Sequence, residues 1–215
     1  MIDHMIDTTA TQGLVAAEPL ASFLRQSAAM HRHLCPRQVL GARMGMYAGE
    51  LLGLKLPQTT TKRLYVFVET DGCFADGVSV ATGCWLGRRT MRLIDEGKVA
   101  ATFVDTQTGQ AWRITLRSDV RELARHYAPD ARSRWHAYLI AYQQMPLTDL
   151  LVATPVVLTI DLKALISRNG LRTLCTSCGE EIINAREVMR EGQLFCRSCA
   201  GERYYLKKTA EWPEQ

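Results

Sequence analysis

The chain has 215 residues, of which 47% are hydrophobic and 22% are charged, and this composition is ordinary for a globular protein. No apolar run reaches the length of a membrane span, so we expect no membrane association. The formal net charge of +4 only weakly favours acidic partners. Seven cysteines in a chain without a secretory signal favour metal or thiol chemistry over disulfides and predict a cytoplasmic protein.

The first segment of the chain predicts little structure. Residues 1–18 lack the charged region and the apolar core of a signal peptide, and we interpret them as a disordered lead-in. Apolar residues at helical spacing from Leu20 onwards then predict a helix that leads into the sequence HRHLCPRQVLG.

The sequence HRHLCPRQVLG, residues 31–41, places His31, His33 and Cys35 at alternate positions. Residues two apart share one face in an extended segment, so we expect these three side chains to point the same way. Pro36 disfavours the helical conformation at Cys35 and is itself favourable at the first helical position, which predicts a helix with Cys35 as its N-cap. A thiol at a helix N-terminus has a lowered pKa. The segment is therefore a metal site, a nucleophile, or a structural cysteine beside two solvated histidines.

The helix that follows carries a stripe of glycines. Gly41, Gly45 and Gly49 fall four residues apart, and glycine lowers helix stability, so the stripe indicates close approach of another backbone in a tightly packed core. The stripe, the strands and an aromatic helix around Trp135 offer more apolar surface than a small core buries. These features predict a homodimer.

The middle of the chain predicts a sheet with helices. Alternating apolar residues from Leu64 to Val68 predict a strand, and a short buried helix is expected from about Asp76 to Thr82. Further strands are predicted in the segments RRTMRLI, VAATFVD, QAWRITLR and PVVLTIDL, with two helices between the last two. The pattern predicts an α+β fold with a mostly antiparallel sheet.

The C-terminal module, at residues 171–215 after a core domain of residues 19–170, contains two C-x-x-C pairs that seventeen residues separate. The four thiols are those of Cys175, Cys178, Cys196 and Cys199. Zn²⁺ prefers four tetrahedral thiolates, and a two-residue gap lets one turn supply two of them. A hairpin between the pairs and a helix that begins at the second pair predict a small treble-clef zinc finger. Because the module has little core, its zinc should supply much of its folding energy.

The charge of this module bears on its partner. Residues 171–215 carry seven Lys or Arg and seven Asp or Glu, whereas phosphate binding requires a basic surface. We therefore favour a structural or protein-docking role for the finger over nucleic-acid binding.

Two further cysteines, Cys73 and Cys84, could join a metal site in the core. His33 and Cys35 suit Zn²⁺ or another borderline-soft ion. If one straight helix joined Cys73 to Cys84, their thiols would lie about 16 Å apart and could not share an ion. Three arrangements remain open: the chain folds Cys84 back at Thr82–Gly83, loops carry both thiols inward, or one thiol is not a ligand.

These motifs, taken in order, resemble the FmdE-like family of formylmethanofuran dehydrogenase proteins. The resemblance rests on the H-x-H-x-C-P segment, on C-x-x-D-x(7)-C at Cys73, Asp76 and Cys84, on the pair Gly97 and Lys98, and on the finger. It covers residues from about 20 to 117 and the finger. It implies a thioredoxin-like core with a mixed sheet and a metal-binding active site. It also implies an association with molybdenum or tungsten formylmethanofuran dehydrogenase in one-carbon metabolism.

The sequence departs from this family pattern in two places. Arg32 and Arg37 stand where the family commonly has glycine, and two arginines would make the site electropositive and could recruit an anionic ligand. Residues 118–145 look like helices beyond those of the smallest members.

Two functions are consistent with the sequence. In the first, the protein is an accessory or redox-like metalloprotein, with a dehydrogenase or other protein as partner, whose core binds one ion, expected to be zinc. The core ligands would be His33, Cys35, and one or both of Cys73 and Cys84. His31 would be a further ligand or a base, and Asp76 would orient a ligand, which makes these two the candidate catalytic residues. In the second, the protein is a non-enzymatic zinc-finger adaptor or transcriptional regulator, and the core is only a scaffold.

Overall fold

A computed structural model describes residues 11–167 and 170–206 and divides the chain into two compact units, Met1–Thr159 and Ile160–Gln215. In the described residues the helices are α1 (Leu20–His31), α2 (Pro36–Leu52), α3 (Cys73–Thr82), α4 (Val120–Tyr127), α5 (Arg134–Gln144), α6 (Leu147–Leu150) and α7 (Leu162–Ser167). The strands are β1 (Leu64–Val68), β2 (Met91–Leu93), β3 (Ala100–Asp105), β4 (Ala111–Leu116), β5 (Leu151–Pro155), β6 (Arg172–Leu174), β7 (Glu181–Ile183), β8 (Val188–Arg190) and β9 (Gln193–Phe195). Within these ranges no helix is both long enough and apolar enough to cross a membrane.

The first unit is built on one mixed sheet in the order β2-β1-β3-β4-β5. Strands β1 and β2 are parallel and α3 lies between them in the chain, whereas the other neighbours are antiparallel. The predicted α+β class and mostly antiparallel sheet are confirmed. The strand predicted in PVVLTIDL is wrong, because β5 covers Leu151–Pro155 instead. Strand β4 begins at Ala111, opposite the end of β5, so residues beyond Val156 have no backbone partner in β4.

Helix α2 packs against α3 through the glycine stripe. A Cβ atom at Gly41 would lie 2.2 Å from the carbonyl oxygen of Phe74, so the two backbones are in contact. One turn further along both helices, Gly45 faces Ala81, while Gly49 packs against the loop that follows α2. The predicted close approach is therefore confirmed. Because the contacts advance in the same direction on both helices, the N-termini of α2 and α3 lie at the same end. The stripe is covered within the chain and leaves no surface there for a homodimer.

Two buried carboxylates anchor the sheet through arginine. Asp105, which is only 1% exposed, accepts two hydrogen bonds from Arg63, at 2.9 and 2.7 Å. Glu69 accepts two from Arg113, both at 2.6 Å. Such two-bond pairs satisfy the carboxylate oxygens in a fixed geometry, which allows charged groups to lie at the edge of the core.

The described part of the expected lead-in contacts the fold. Residues 1–10 lie outside the described residues. The backbone N–H groups of Val15 and Ala16 donate to the Gln143 side-chain oxygen at 2.8 and 3.0 Å, and the Gln143 amide donates to the carbonyl of Gly13 at 2.8 Å. These hydrogen bonds attach residues 13–16 to helix α5.

The second unit contains two antiparallel hairpins, β6–β7 and β8–β9. The helix expected to begin at the second cysteine pair is not formed over residues 197–206, which consist of turns and irregular backbone, and residues 207–215 lie outside the described part. Gly201 supplies the reason, since its φ of 102° takes the backbone off a right-handed helical path directly after Cys199 and Ala200.

Candidate metal centre

Three ligand atoms meet where α2 and α3 begin. One atom each from His33, Cys35 and Cys73 lie within 4.8 Å of one another. Cys35 is the N-cap of α2 and Cys73 is the first residue of α3, so the parallel packing of the two helices brings together thiols that are far apart in the sequence. Two thiols and an imidazole suit Zn²⁺ in type and number. We refer to these three residues as the core triad.

The conformation around Cys35 is the predicted one, but that of His31 is not. Cys35 is extended, with φ −130° and ψ 157°, and α2 begins at Pro36. His31 does not share an extended face with His33 and Cys35, because it is the last residue of α1 and Arg32 turns the chain with a φ of 59°. A positive φ favours glycine, which gives a physical reason for the glycine expected at this position from the family pattern.

Gln38 orients Cys35, and the sequence prediction missed it. Its side-chain oxygen accepts a hydrogen bond from the backbone N–H of Cys35 at 2.6 Å, and its amide donates to the carbonyl of Ser27 at 2.9 Å. The side chain is fully buried. A glutamine three residues after an N-cap forms half of a capping box, so the segment CPRQ contained the signal once a cysteine is accepted as the cap.

Burial raises the pKa of the Cys35 thiol to about 11, although the backbone N–H groups of Gln38 and Arg37 favour the thiolate. The neighbouring Cys73 thiol raises this pKa further. The predicted lowering of the pKa at the helix N-terminus is therefore wrong, because desolvation of the thiolate outweighs the helix end. A metal ion that binds Cys35 must displace its proton.

Two polar side chains lie beside the triad. A carboxylate oxygen of Asp76 lies 2.5 Å from His31 Nε2, and His31 Nδ1 lies 4.0 Å from the Cys73 sulfur. His33 Nδ1 lies 2.9 Å from the carbonyl oxygen of His31, which leaves His33 Nε2 for a metal. Asp76 thus orients His31, and His31 borders the triad without belonging to it.

Cys84 does not belong to this group. Helix α3 is continuous from Cys73 to Thr82, and its ten residues span about 15 Å, so Cys84 lies beyond the opposite end from Cys73. The buried Cys84 thiol donates to the carbonyl of Leu64 at 3.5 Å, and burial raises its pKa. Of the three arrangements that the sequence left open, the positions of the thiols fit the one in which only one of Cys73 and Cys84 joins the group.

The core triad opens on a cavity of about 400 Å³. The other lining residues are Pro36, Arg37, Leu40, Val99, Leu116, Arg121, Trp135, Tyr138 and Tyr142. Arg37 therefore faces the cavity, as expected for an arginine near the site, whereas Arg32 is not among its lining residues. Three protein ligands beside an open cavity are the arrangement of metal sites that bind a substrate.

The second group of possible ligands is the one predicted in the finger. One sulfur each from Cys175, Cys178, Cys196 and Cys199 lie within 4.8 Å of one another. The sulfurs of Cys178 and Cys196 are 3.9 Å apart. Two thiolates on a tetrahedral zinc with bonds of about 2.3 Å lie about 3.8 Å apart, so the spacing fits the ion.

Backbone donors prepare the finger for a cation. Strands β6 and β9 lead directly into Cys175 and Cys196, and each C-x-x-C pair forms a turn. The backbone N–H of Cys196 donates to the Cys175 sulfur at 3.3 Å. This bond, with the backbone N–H of Cys178, lowers the pKa of the Cys175 thiol to about 6. Although the backbone N–H of Glu180 favours the Cys178 thiolate, desolvation and the neighbouring thiols raise the pKa of Cys178 to about 12, so a cation bound by all four sulfurs must displace protons.

Comparisons with known proteins agree with these observations. A family model described as "FmdE, Molybdenum formylmethanofuran dehydrogenase operon" matches residues 30–152, which include the core triad and extend over α4 and α5. The motif resemblance ends near residue 117, before those two helices.

Two known proteins are similar to this chain, one in sequence and one in structure. A probable S-adenosyl-L-methionine-binding protein of Archaeoglobus fulgidus is 33% identical over 102 residues, which are 46% of this chain and 28% of that protein. The match thus spans less than a third of that relative. The crystal structure of a tungsten formylmethanofuran dehydrogenase FmdE-like protein from Syntrophus aciditrophicus has a TM-score of 0.57 and 20% identity, and the match covers 90% of this chain and 100% of that chain. This likeness shows the fold.

Proposed function

The chain belongs to the FmdE family, and from that premise we propose that it has a zinc-dependent active site in its core. We infer a role beside one-carbon redox enzymes of the molybdenum or tungsten formylmethanofuran dehydrogenase type, because the family description and the related crystal structure both name that enzyme. The observation that carries the proposal is the convergence of the core triad on a cavity large enough for a small organic substrate.

The triad would leave one position of a tetrahedral ion open to the cavity. Zinc, when bound there, supplies a Lewis acid that can polarise a carbonyl-type substrate. The protein supplies the remaining groups. His31, whose Nε2 lies 2.5 Å from Asp76, presents its Nδ1 towards Cys73 and is positioned to hold or release a proton beside that sulfur.

Metal content per chain tests this proposal. Protein purified without added metal should contain two zinc ions per chain, and His33→Ala and Cys35→Ser should each reduce this to one while the finger keeps its ion. His31→Ala should weaken core binding less, because His31 lies outside the triad. Cys84→Ser is the matched control, since it replaces a buried core cysteine that does not belong to the triad.

One outcome would favour the alternative. If the wild-type chain holds a single ion and His33→Ala does not change that number, the core is a scaffold. The protein would then be a non-enzymatic zinc-finger adaptor or regulator.

We propose that the finger contacts a protein rather than nucleic acid. Its exposed apolar side chains include those of Leu174, Ile183, Met189 and Tyr204. Its charges balance, which does not favour phosphate binding. A gel-shift titration with duplex DNA and with RNA at 50 mM salt should show no binding at micromolar protein, and salt-sensitive binding of either would contradict this assignment.

A homodimer remains the assembly that we propose. Strand β2 is an edge of the sheet, and apolar side chains near it are exposed, among them Leu86, Leu93 and Ile94. An unpaired edge with apolar neighbours is a typical site of association. Light scattering at micromolar concentration should give the mass of two chains, and the mass of one chain would contradict the proposal.

A further inference from the structure

The cavity beside the core triad has a strongly biased lining. Outside the triad it presents two arginines, Arg37 and Arg121, and three aromatic residues, Trp135, Tyr138 and Tyr142. Among the described residues, none that lines the cavity carries a carboxylate. A wall that combines guanidinium groups with aromatic rings, and that has no acidic group, is complementary to a negatively charged ligand with an apolar body.

The two arginines differ from their neighbours in the same unit. Arg63, Arg113 and Arg117 each form a two-bond pair with a carboxylate. In the part of the chain that the structure describes, the guanidinium groups of Arg37 and Arg121 have no ion pair or hydrogen bond. Their charge is therefore available to a ligand in the cavity.

A metal ion in the triad would not cancel this charge. Zn²⁺ with two thiolates and a neutral imidazole is electrically neutral in total, so the positive charge of Arg37 and Arg121 would remain. Arg37 follows Pro36 in the first turn of α2, next to the triad, while Arg121 is on α4 and lies close enough to Tyr142 to favour its ionised form. The cavity thus has a metal-ligating group, a neighbouring arginine and a second arginine on another element.

Three aromatic side chains line the same space. The rings of Tyr138 and Tyr142 are parallel, with an angle of 3° between their planes and 5.7 Å between their centroids. Trp135 lies one turn before Tyr138 on α5 and is 44% exposed. The stacked pair and Trp135 give the cavity an aromatic wall, and such a wall favours contact with a planar, unsaturated ligand.

We propose that this cavity binds an aromatic or conjugated carboxylate. Arg37 and Arg121 hold the carboxylate, the rings of α5 pack against the planar body, and the ligand approaches the core triad from the open side. This inference names the substrate class of the proposed active site. It rests on the proposed function only for the role of the metal. The arginines and the rings need no metal to bind an anion.

Titration calorimetry with 2-naphthoate tests the inference, and 2-naphthamide is its uncharged counterpart of the same shape. Wild-type full-length protein should bind the carboxylate at least about tenfold more tightly than the amide, as expected for a charge-assisted hydrogen bond. Arg37→Gln and Arg121→Gln should each lose about tenfold or more of the carboxylate affinity without changing the amide affinity. Arg125→Gln is the matched control, because Arg125 is an exposed arginine on the same helix that does not line the cavity.

Three further readouts separate binding from folding and from metal content. Carboxylate binding should quench tryptophan fluorescence in wild-type protein and not in Trp135→Phe. The thermal midpoints of the arginine variants should equal that of Arg125→Gln. His33→Ala should retain the preference for the carboxylate although it has lost the core metal. A wild-type chain that lacks a core metal but shows the preference would reject only the proposed function.

Equal affinity for 2-naphthoate and 2-naphthamide would overturn the inference. So would no detectable binding of either compound at millimolar concentration, or Arg37 and Arg121 variants that behave like Arg125→Gln. If two zinc ions are present per chain and any of these results is obtained, the metal site stands and the carboxylate assignment is rejected.

Discussion

The finger and the core each bring cysteine sulfurs together, but they do so by different means. In the finger, two tight turns supply all four thiols, and the short spacing within each pair does most of the positioning. In the core, Cys35 and Cys73 meet only because α2 and α3 pack side by side with their N-termini at one end. The first group depends on local backbone geometry, and the second depends on the tertiary fold.

The two groups also differ in how their thiols hold protons. Backbone N–H groups lower the pKa of Cys175 to about 6, whereas burial raises that of Cys35 to about 11. A cation must displace protons in both groups, because the pKa values of Cys178 and Cys196 are raised as well, but the finger has one thiol, that of Cys175, that loses its proton readily.

Cys178→Ser tests the local character of the finger and should have the largest effect. Structural zinc contributes on the order of 10 kcal/mol to the folding of such small modules, so loss of one ligand should release the ion and unfold residues 170–206 alone. Hydrogen exchange should show lost protection there and unchanged protection in β1 and β3. Retention of full metal content would contradict the assignment.

Gly41→Ala tests the tertiary character of the core triad. The new Cβ would lie 2.2 Å from the Phe74 carbonyl oxygen and 2.7 Å from the Val78 nitrogen, so α2 and α3 must separate. We expect a loss of about 3 kcal/mol in unfolding free energy, measured in urea, and loss of the core metal with the finger zinc retained. Gly87→Ala, where a Cβ meets open space, is the control, and equal behaviour of the two variants would contradict the helix-contact argument.

The core and the finger should differ in how their ion pairs affect stability, because the carboxylate of the core pair is buried and that of the finger pair is exposed. Arg63 holds the pKa of the buried Asp105 at about 2, below its ordinary value of 3.8. A lowered pKa in the folded state stabilises the fold above the unfolded-state pKa, and this stabilisation, about 2 kcal/mol, is lost as the pH falls from about 4 to about 2. Asp105→Asn should remove this stabilisation at neutral pH and flatten the pH dependence of the unfolding free energy, measured in urea.

The exposed pair in the finger is the comparison for this variant. Arg172 and Glu181 are 66% and 46% exposed at a separation of 2.8 Å, and exposed pairs contribute little to stability. Glu181→Gln should therefore leave the urea midpoint unchanged. If Glu181→Gln lost more unfolding free energy than Asp105→Asn, the buried pair would not be the more stabilising of the two.

Arg32→Gly should have the smallest effect, and it should be stabilising. Arg32 has a φ of 59°, a conformation that costs a residue with a Cβ about 1 kcal/mol relative to glycine. Arg25→Gly, the same substitution inside α1, should instead destabilise by about 1 kcal/mol. Thermal melts of the two variants should shift in opposite directions, and shifts of the same sign would show that strain at Arg32 is negligible.

Features that depend on neighbouring residues were predictable from the sequence. The Cys-Pro step predicted the start of α2, the C-x-x-C spacing predicted the finger group, and the glycine stripe predicted the close helix contact. Each pattern reports the geometry of its own residues, and the glycine stripe did not indicate that the approaching backbone is that of α3.

Features that depend on where an element begins were not predictable from the sequence. Gly72, with a φ of 69°, lets α3 start at Cys73, three residues before the predicted start at Asp76, and this extension carries Cys84 to the far end from Cys73. Arg121 reaches the cavity only through the packing of α4 and α5, which no local pattern encodes. Burial of Cys35 likewise depends on the whole core, and for that reason the direction of its pKa shift was predicted wrongly.

The contact of backbone on backbone at Gly41 has a consequence for how the core triad responds to physical stress. Side chains in a core can change rotamer and close small voids when pressure or temperature changes, but two main chains already in van der Waals contact have no void between them to compress. The spacing of Cys35 and Cys73 should therefore change little under hydrostatic pressure. The distance between these two thiols would stay nearly constant while the surrounding core expands or contracts.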